Sequence, residues 1–115
     1  MTMSPTSDSD RCTLIVAEGR ALHFDAPIGE TVHFDDVIVV RTDPAPNTRD
    51  NENVFGVSRS GAVRWRVEPV RHVYDDSPYV RIAREGTNLR CYNWDGLELL
   101  LDPSDGRVIE SRVGR

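Results

Sequence analysis

Two tripeptides carry the clearest chemical repetition in the chain, His23-Phe24-Asp25 and, ten residues on, His33-Phe34-Asp35. An imidazole with a carboxylate two positions away is a donor set that borderline divalent cations accept. If the two segments pair as antiparallel strands around Ile28, His23 comes opposite His33 and both phenylalanines turn to the other face. Zn or Cu held by His23, His33, Asp25 and Asp35 is the chemistry that arrangement would support. The plainer expectation is a solvated polar face opposite a buried phenylalanine pair. No bound cofactor is therefore the first expectation, and the metal is its alternative.

A second polar cluster, His72, Tyr74, Asp75 and Asp76, offers the minimum for general acid–base work, a histidine beside a carboxylate. Nothing in the sequence adds a nucleophile in a recognisable context, an oxyanion motif or a glycine-rich phosphate loop. Turn chemistry leading into Ser77-Pro78 accounts for the aspartates. The reading leans away from an enzyme, and no catalytic residue is assigned. Trp65 is expected in the core beside Phe55, whereas Trp94 sits in a turn with Asp95-Gly96 and is expected at the surface. An exposed aromatic at a loop tip can anchor a partner. The candidate contact residues are Trp94, Tyr92, Tyr74, Asp75 and Asp76.

These side chains must be positioned by strands. The densest apolar stretch runs from Asn88 to Val108, and it reads as three strands around two glycine-marked turns. A three-residue loop Trp94-Asp95-Gly96, with Gly96 at positive φ, sets Cys91 opposite Leu99 and Leu89 opposite Leu101. A tight turn at Glu85-Gly86 adds a third strand, with Ile82 opposite Leu89 and Val80 opposite Cys91. Earlier, Arg59-Ser60-Gly61 closes another hairpin with Phe55 facing Trp65 and Val57 facing Val63. Val37 to Val40 is a continuous apolar run, expected to be buried on both faces. Short β-rich segments also fall at Cys12–Ala17, Arg20–Asp25, Thr31–Phe34 and Arg107–Arg112, while Thr42–Glu52 reads as a long polar loop and the most mobile segment.

Composition bounds the rest. The chain has 115 residues, 38% hydrophobic and 29% charged, which fits a soluble globular protein with a modest core. No apolar run approaches the roughly 20 residues of a membrane helix. A net charge of −5 argues against binding nucleic acid through its phosphates, although all 14 basic residues are arginine. Residues 1–10 are polar and acidic, and read as a disordered tail rather than a secretory signal. Residues 11–115 read as one domain. Cys12 and Cys91 lie in no paired motif, so reduced thiols and a cytoplasmic location are expected.

The stretch Asn53 to Trp65 resembles one blade of a PQQ-like (quinoprotein-type) β-propeller, in which a short strand, a turn glycine and a strand ending in tryptophan recur. Asn88 to Gly96, followed by Leu101 to Val108, is similar to the same repeat, with Gly61 and Gly96 offset by 35 residues. The resemblance implies blade-like strand pairing and no cofactor site. Asn93-Trp94-Asp95-Gly96 with the following Asp102-Pro103-Ser104-Asp105-Gly106 also resembles small bacterial all-β proteins of unknown function.

The expected fold is all-β, with about nine or ten short antiparallel strands in meanders, two packed sheets and blade-like hairpins. Its core would include Val37, Val39, Phe55, Val57, Val63, Trp65, Val80, Ile82, Leu89, Cys91, Leu97 and Leu99. The function expected first is a small, non-catalytic protein-interaction module, acidic like an inhibitor or immunity protein, docking on a basic partner. A metal- or small-ligand-binding β-protein using His23 and His33 is the alternative, and a small hydrolase or isomerase around His72 and Asp75 comes third. A homodimer is expected as one way to cover sheet edges.

Overall fold

The computed structural model describes residues 11–16, 19–71 and 76–113. The expected tail and the cluster His72, Tyr74 and Asp75 lie outside them. Among the described residues ten strands run in order: β1 (Thr13–Ile15), β2 (Ala21–His23), β3 (Ile28–His33), β4 (Val37–Thr42), β5 (Val54–Ser58), β6 (Val63–Arg66), β7 (Tyr79–Glu85), β8 (Asn88–Asn93), β9 (Leu97–Leu101) and β10 (Val108–Val113). They form three antiparallel sheets, with strand orders β1-β2, β3-β4-β5-β6 and β10-β9-β8-β7. The class is all-β, as the strand and turn spacing predicts. The addition to two packed sheets is a third layer, the β1–β2 hairpin.

β4 is the middle of the stack. Every one of its residues is buried. Val37 and Val39 face the β7–β10 sheet and join Val54, Trp65, Tyr79, Ile82, Leu89, Cys91, Leu99 and Leu101 in the main core. Ile38 and Val40 face the other way, into a smaller cluster with Val16 and Val57, against which Leu14, Leu22, Phe24 and Ile28 pack. A strand without polar alternation therefore lies between two layers, as its composition predicts.

The hairpin registers are mostly as the turns dictate. Leu89 pairs with Leu101 and Cys91 with Leu99, and Gly96 takes a φ of 95°. The β7–β8 turn sits one residue later than expected, on Gly86-Thr87. Glu85 pairs with Asn88, so Ile82 meets Cys91 rather than Leu89. This two-residue difference leaves every side chain on its face. A bulge between Tyr79 and Arg81 then takes Val80 out of the ladder, and Val80 is an exposed side chain, not a core one.

A second bulge corrects the β5–β6 pairing. Val57 meets Val63 as expected, but the ladder shifts by one residue so that Trp65 pairs with Gly56 and Arg66 with Phe55. A one-residue shift reverses faces. Trp65 thus leaves Phe55 and enters the main core. Phe55 instead packs against Phe24, ring centroids 5.0 Å apart and planes tilted by 56°, and lies beneath the Arg66 guanidinium, on the β1–β2 side. Val63, at the rim, is exposed.

Trp65 joins the two large sheets. Its indole lies over Gly56, where a Cβ would come within 2.1 Å of the ring, and under Gly106, where one would come within 2.7 Å. Its Nε1–H donates to the Pro103 carbonyl at 2.7 Å. On the opposite side the sheets are tied by Glu30 of β3, whose carboxylate accepts from the Ile82 backbone N–H at 3.0 Å and from Arg41 Nε at 2.8 Å. Arg84 of β7 also donates to the His33 carbonyl.

Candidate interaction groove

The Trp94 turn is rigidly built. Gly96 N–H returns to the Asn93 carbonyl, Asp95 N–H bonds to the Asn93 side chain, and Leu97 N–H bonds to the Asp95 carboxylate. Asn93 also donates to the Ser77 carbonyl at 2.7 Å, and Ser77 Oγ donates to Asp95. Trp94 N–H reaches the Pro78 carbonyl at 2.9 Å. With its backbone committed inward, the Trp94 side chain points out and is 59% exposed.

Facing it is the loop between β4 and β5, which is pinned at both ends rather than free along its length. Arg41 Nη1 pairs with Asp43 at 2.5 Å, Asp43 N–H bonds to the Pro27 carbonyl, and Arg66 pairs with Asp50 at 2.8 Å. A turn closes inside it from Thr48 N–H to the Ala45 carbonyl, with Asn47 at a φ of 68°. Asparagine tolerates that left-handed backbone better than most residues. Fully buried Asn53 fastens the loop's end to β7, donating to the Thr42 and Tyr79 carbonyls and accepting from Tyr79 N–H.

Between loop and turn lies a groove of about 450 Å³, lined by Pro44, Pro46, Thr48, Asp76, Pro78 and Trp94, with uncharged Ala45 and Asn47 completing the wall. Its rings are apolar and rigid, and among the described residues its one ionisable lining group is the Asp76 carboxylate. Such a site suits a side chain with an apolar stem and a cationic head.

Other candidates fall elsewhere. Tyr92 does not line the groove: it lies half-buried on the outer face of its sheet, 4.9 Å beneath the Arg81 guanidinium. His23 and His33 do not face one another. His23 belongs to β2, where it pairs with Thr13 and its Nδ1 lies 2.8 Å from the threonine hydroxyl. His33 belongs to β3 and pairs with Ile38. Asp25 and Asp35 are both exposed, Asp25 beside His23 in one pocket and Asp35 in another. The expected pairing around Ile28 fails because the β1–β2 hairpin claims the first tripeptide and β4 the second. Among the described residues no group of three His, Cys, Asp or Glu side chains is placed to hold a metal ion.

A cleft of about 250 Å³ at the sheet junction gathers Asp35, Asp36, Arg84, Asp102 and Ser104 around Phe34. Arg84 lies over the Phe34 ring at 4.3 Å, and Ser104, through its hydroxyl and its backbone N–H, holds the Asp102 carboxyl below its usual range. The Asp102 bonds are those of a turn, and the Arg84 bond to His33 ties two strands. Cys91 is fully buried in the main core, where burial pushes its thiol up to about 12, and Cys12 lies in the β1–β2 layer, so the two do not pair. Among the described residues, no helix is long and apolar enough to cross a membrane.

No local signal in the sequence marks Asn53 or the proline wall as site builders. Proline spacing signals a loop, but nothing local shows that Pro44 and Pro46 stand opposite Trp94, some fifty residues away.

The molecule is thus a three-layer β-protein with an aromatic and proline groove on its rim. The chain belongs to the DUF7957 family, a domain of unknown function, whose profile matches residues 3–113. No curated protein and no solved structure matches it.

Proposed function

We propose that the protein is a non-catalytic interaction module that receives an arginine or lysine side chain of a basic protein partner in the Trp94 groove. One observation carries this reading: a 59% exposed tryptophan stands opposite rigid proline rings in a groove lined, among the described residues, by a carboxylate as its single ionisable group. The cation would lie over the indole face, its stem against Pro44 and Pro46 and its charge toward Asp76. The net charge of −5 favours encounter with a basic surface, the behaviour of an inhibitor- or immunity-type protein. A reducing, cytoplasmic setting is consistent with two thiols in different layers.

The test is NMR titration of the full chain with a blocked Gly-Arg-Gly peptide, following the Trp94 indole N–H signal. The expected result is a saturable shift with the arginine peptide, none with Gly-Glu-Gly, and several-fold weaker binding in Asp76→Asn. An indole signal indifferent to the arginine peptide at millimolar concentration would overturn the proposal.

A further inference from the structure

The two large sheets have unequal edges. On the β3–β7 side the edges close on each other through Glu30, Arg84 and the backbone groups they bond. On the other side β10 is the outermost strand of its sheet. It is six residues long and carries Ile109 and Val113, which are 43% and 68% exposed. Long edge strands with apolar side chains are templates for pairing.

The ladder fixes which groups β10 offers. Ile82 N–H points away from β8, toward Glu30, so Arg81 and Ala83 are the residues bonded to β8. Alternation then directs Leu89 and Cys91 toward β9, and Glu98 and Leu100 toward β10. Glu110 and Arg112 answer those two, which leaves the backbone groups of Ser111 and Val113 directed outward.

The sequence around this edge is self-complementary: Ile109, Glu110, Ser111, Arg112, Val113 reads apolar, acid, small, base, apolar. We propose that β10 pairs antiparallel with β10 of a second copy about a twofold axis at Ser111, giving a homodimer with a continuous eight-stranded sheet. In that register Ser111 meets its own counterpart and exchanges both backbone bonds. Glu110 meets Arg112 of the second copy, and Val113 meets Ile109 in the bulge. The charges extend rows already present on the outer face. Arg90 Nη1 lies 3.7 Å from Glu110, and Arg112 lies 3.2 Å from Glu98. The twofold continues these as an alternating line, Arg90, Glu110, then Arg112 and Glu98 of the second copy. A twofold contact must be self-complementary, and this one is in charge, apolarity and backbone polarity. Charges of one sign on an edge repel a second copy, whereas opposite signs placed symmetrically about the axis attract it.

Sedimentation equilibrium of the full chain from about 1 µM to about 1 mM tests this. The expected result is reversible formation of a species of twice the 13.0-kDa chain mass. Glu110→Arg and Arg112→Glu each set like charges opposite one another and should raise the self-dissociation constant at least about tenfold. Mixing the two variants pairs opposite charges at both contacts and should restore a dimer. Ser111→Pro, which removes an outward N–H but no bond to β9, should abolish dimerisation with circular dichroism unchanged. A monomer throughout the range, or a dimer indifferent to both reversals and to Ser111→Pro, would overturn the proposal.

Discussion

Tyr79 is the largest fully buried side chain, and its hydroxyl has no hydrogen-bond partner among the described residues. Burial holds the phenol protonated well above its ordinary range, so the group is a neutral, desolvated donor. Removing an unpaired buried hydroxyl while keeping the ring relieves that desolvation. Tyr79→Phe is therefore expected to leave stability unchanged or raise it by about 1 kcal/mol, read from the urea midpoint. A loss of more than about 1 kcal/mol would show that the hydroxyl contributes a bond. The backbone of the same residue behaves oppositely, since its N–H and C=O are both held by the Asn53 side chain. Residues of this kind are poorly legible in a sequence. Asn53 reads as the polar end of a loop, and only the fold brings it 26 positions along the chain to its partner. Trp94 was legible as an exposed turn residue because the turn's own glycine fixes it locally.

Among the elements, the β5–β6 hairpin shows what periodicity resolves and what it leaves open. Its loop and the Val57–Val63 pair follow from Gly61 and the alternation beyond it. The bulge does not follow, because one extra residue in a short strand leaves no mark on composition, yet it decides the side on which Trp65 packs. The same limit accounts for Val80. The strand pairing expected around Ile28 failed at this scale as well. His23 and His33 are similar in local sequence, but the pairing of their strands depends on competition with distant partners. Gly56 supplies the space that makes the Trp65 position workable. Gly56→Ala would drive a methyl into the indole, displacing Nε1 from the Pro103 carbonyl. The expected loss is about 2–3 kcal/mol by denaturant titration. In a Trp94→Phe background the remaining tryptophan emission should also shift to the red. Emission and stability both unchanged would mean that the indole does not occupy this site in solution.

The whole molecule is a stack in which consecutive strands pair with their neighbours. Each large sheet is a four-stranded meander, and the two face each other across a shared core. The all-β class and most of that core were legible, since short strands, turn glycines and an unbroken Val37–Val40 run are local properties. The third layer was not, because nothing in β1 and β2 announces which face they cover. That layer gives the molecule a gradient of amide protection. The β4 amides lie under cover on both sides, whereas β1 and β2 are three residues each, joined to the rest through one small cluster and carrying the exposed Ile15. Hydrogen exchange should therefore proceed in β1 and β2 by local opening, and in Val39 and Val40 of β4 only by unfolding of the whole chain. Equal protection in both segments would refute this. If the gradient holds, the hairpin can lift away and close again while both large sheets stay assembled, exposing Ile38, Val40 and Val57 for the lifetime of each opening.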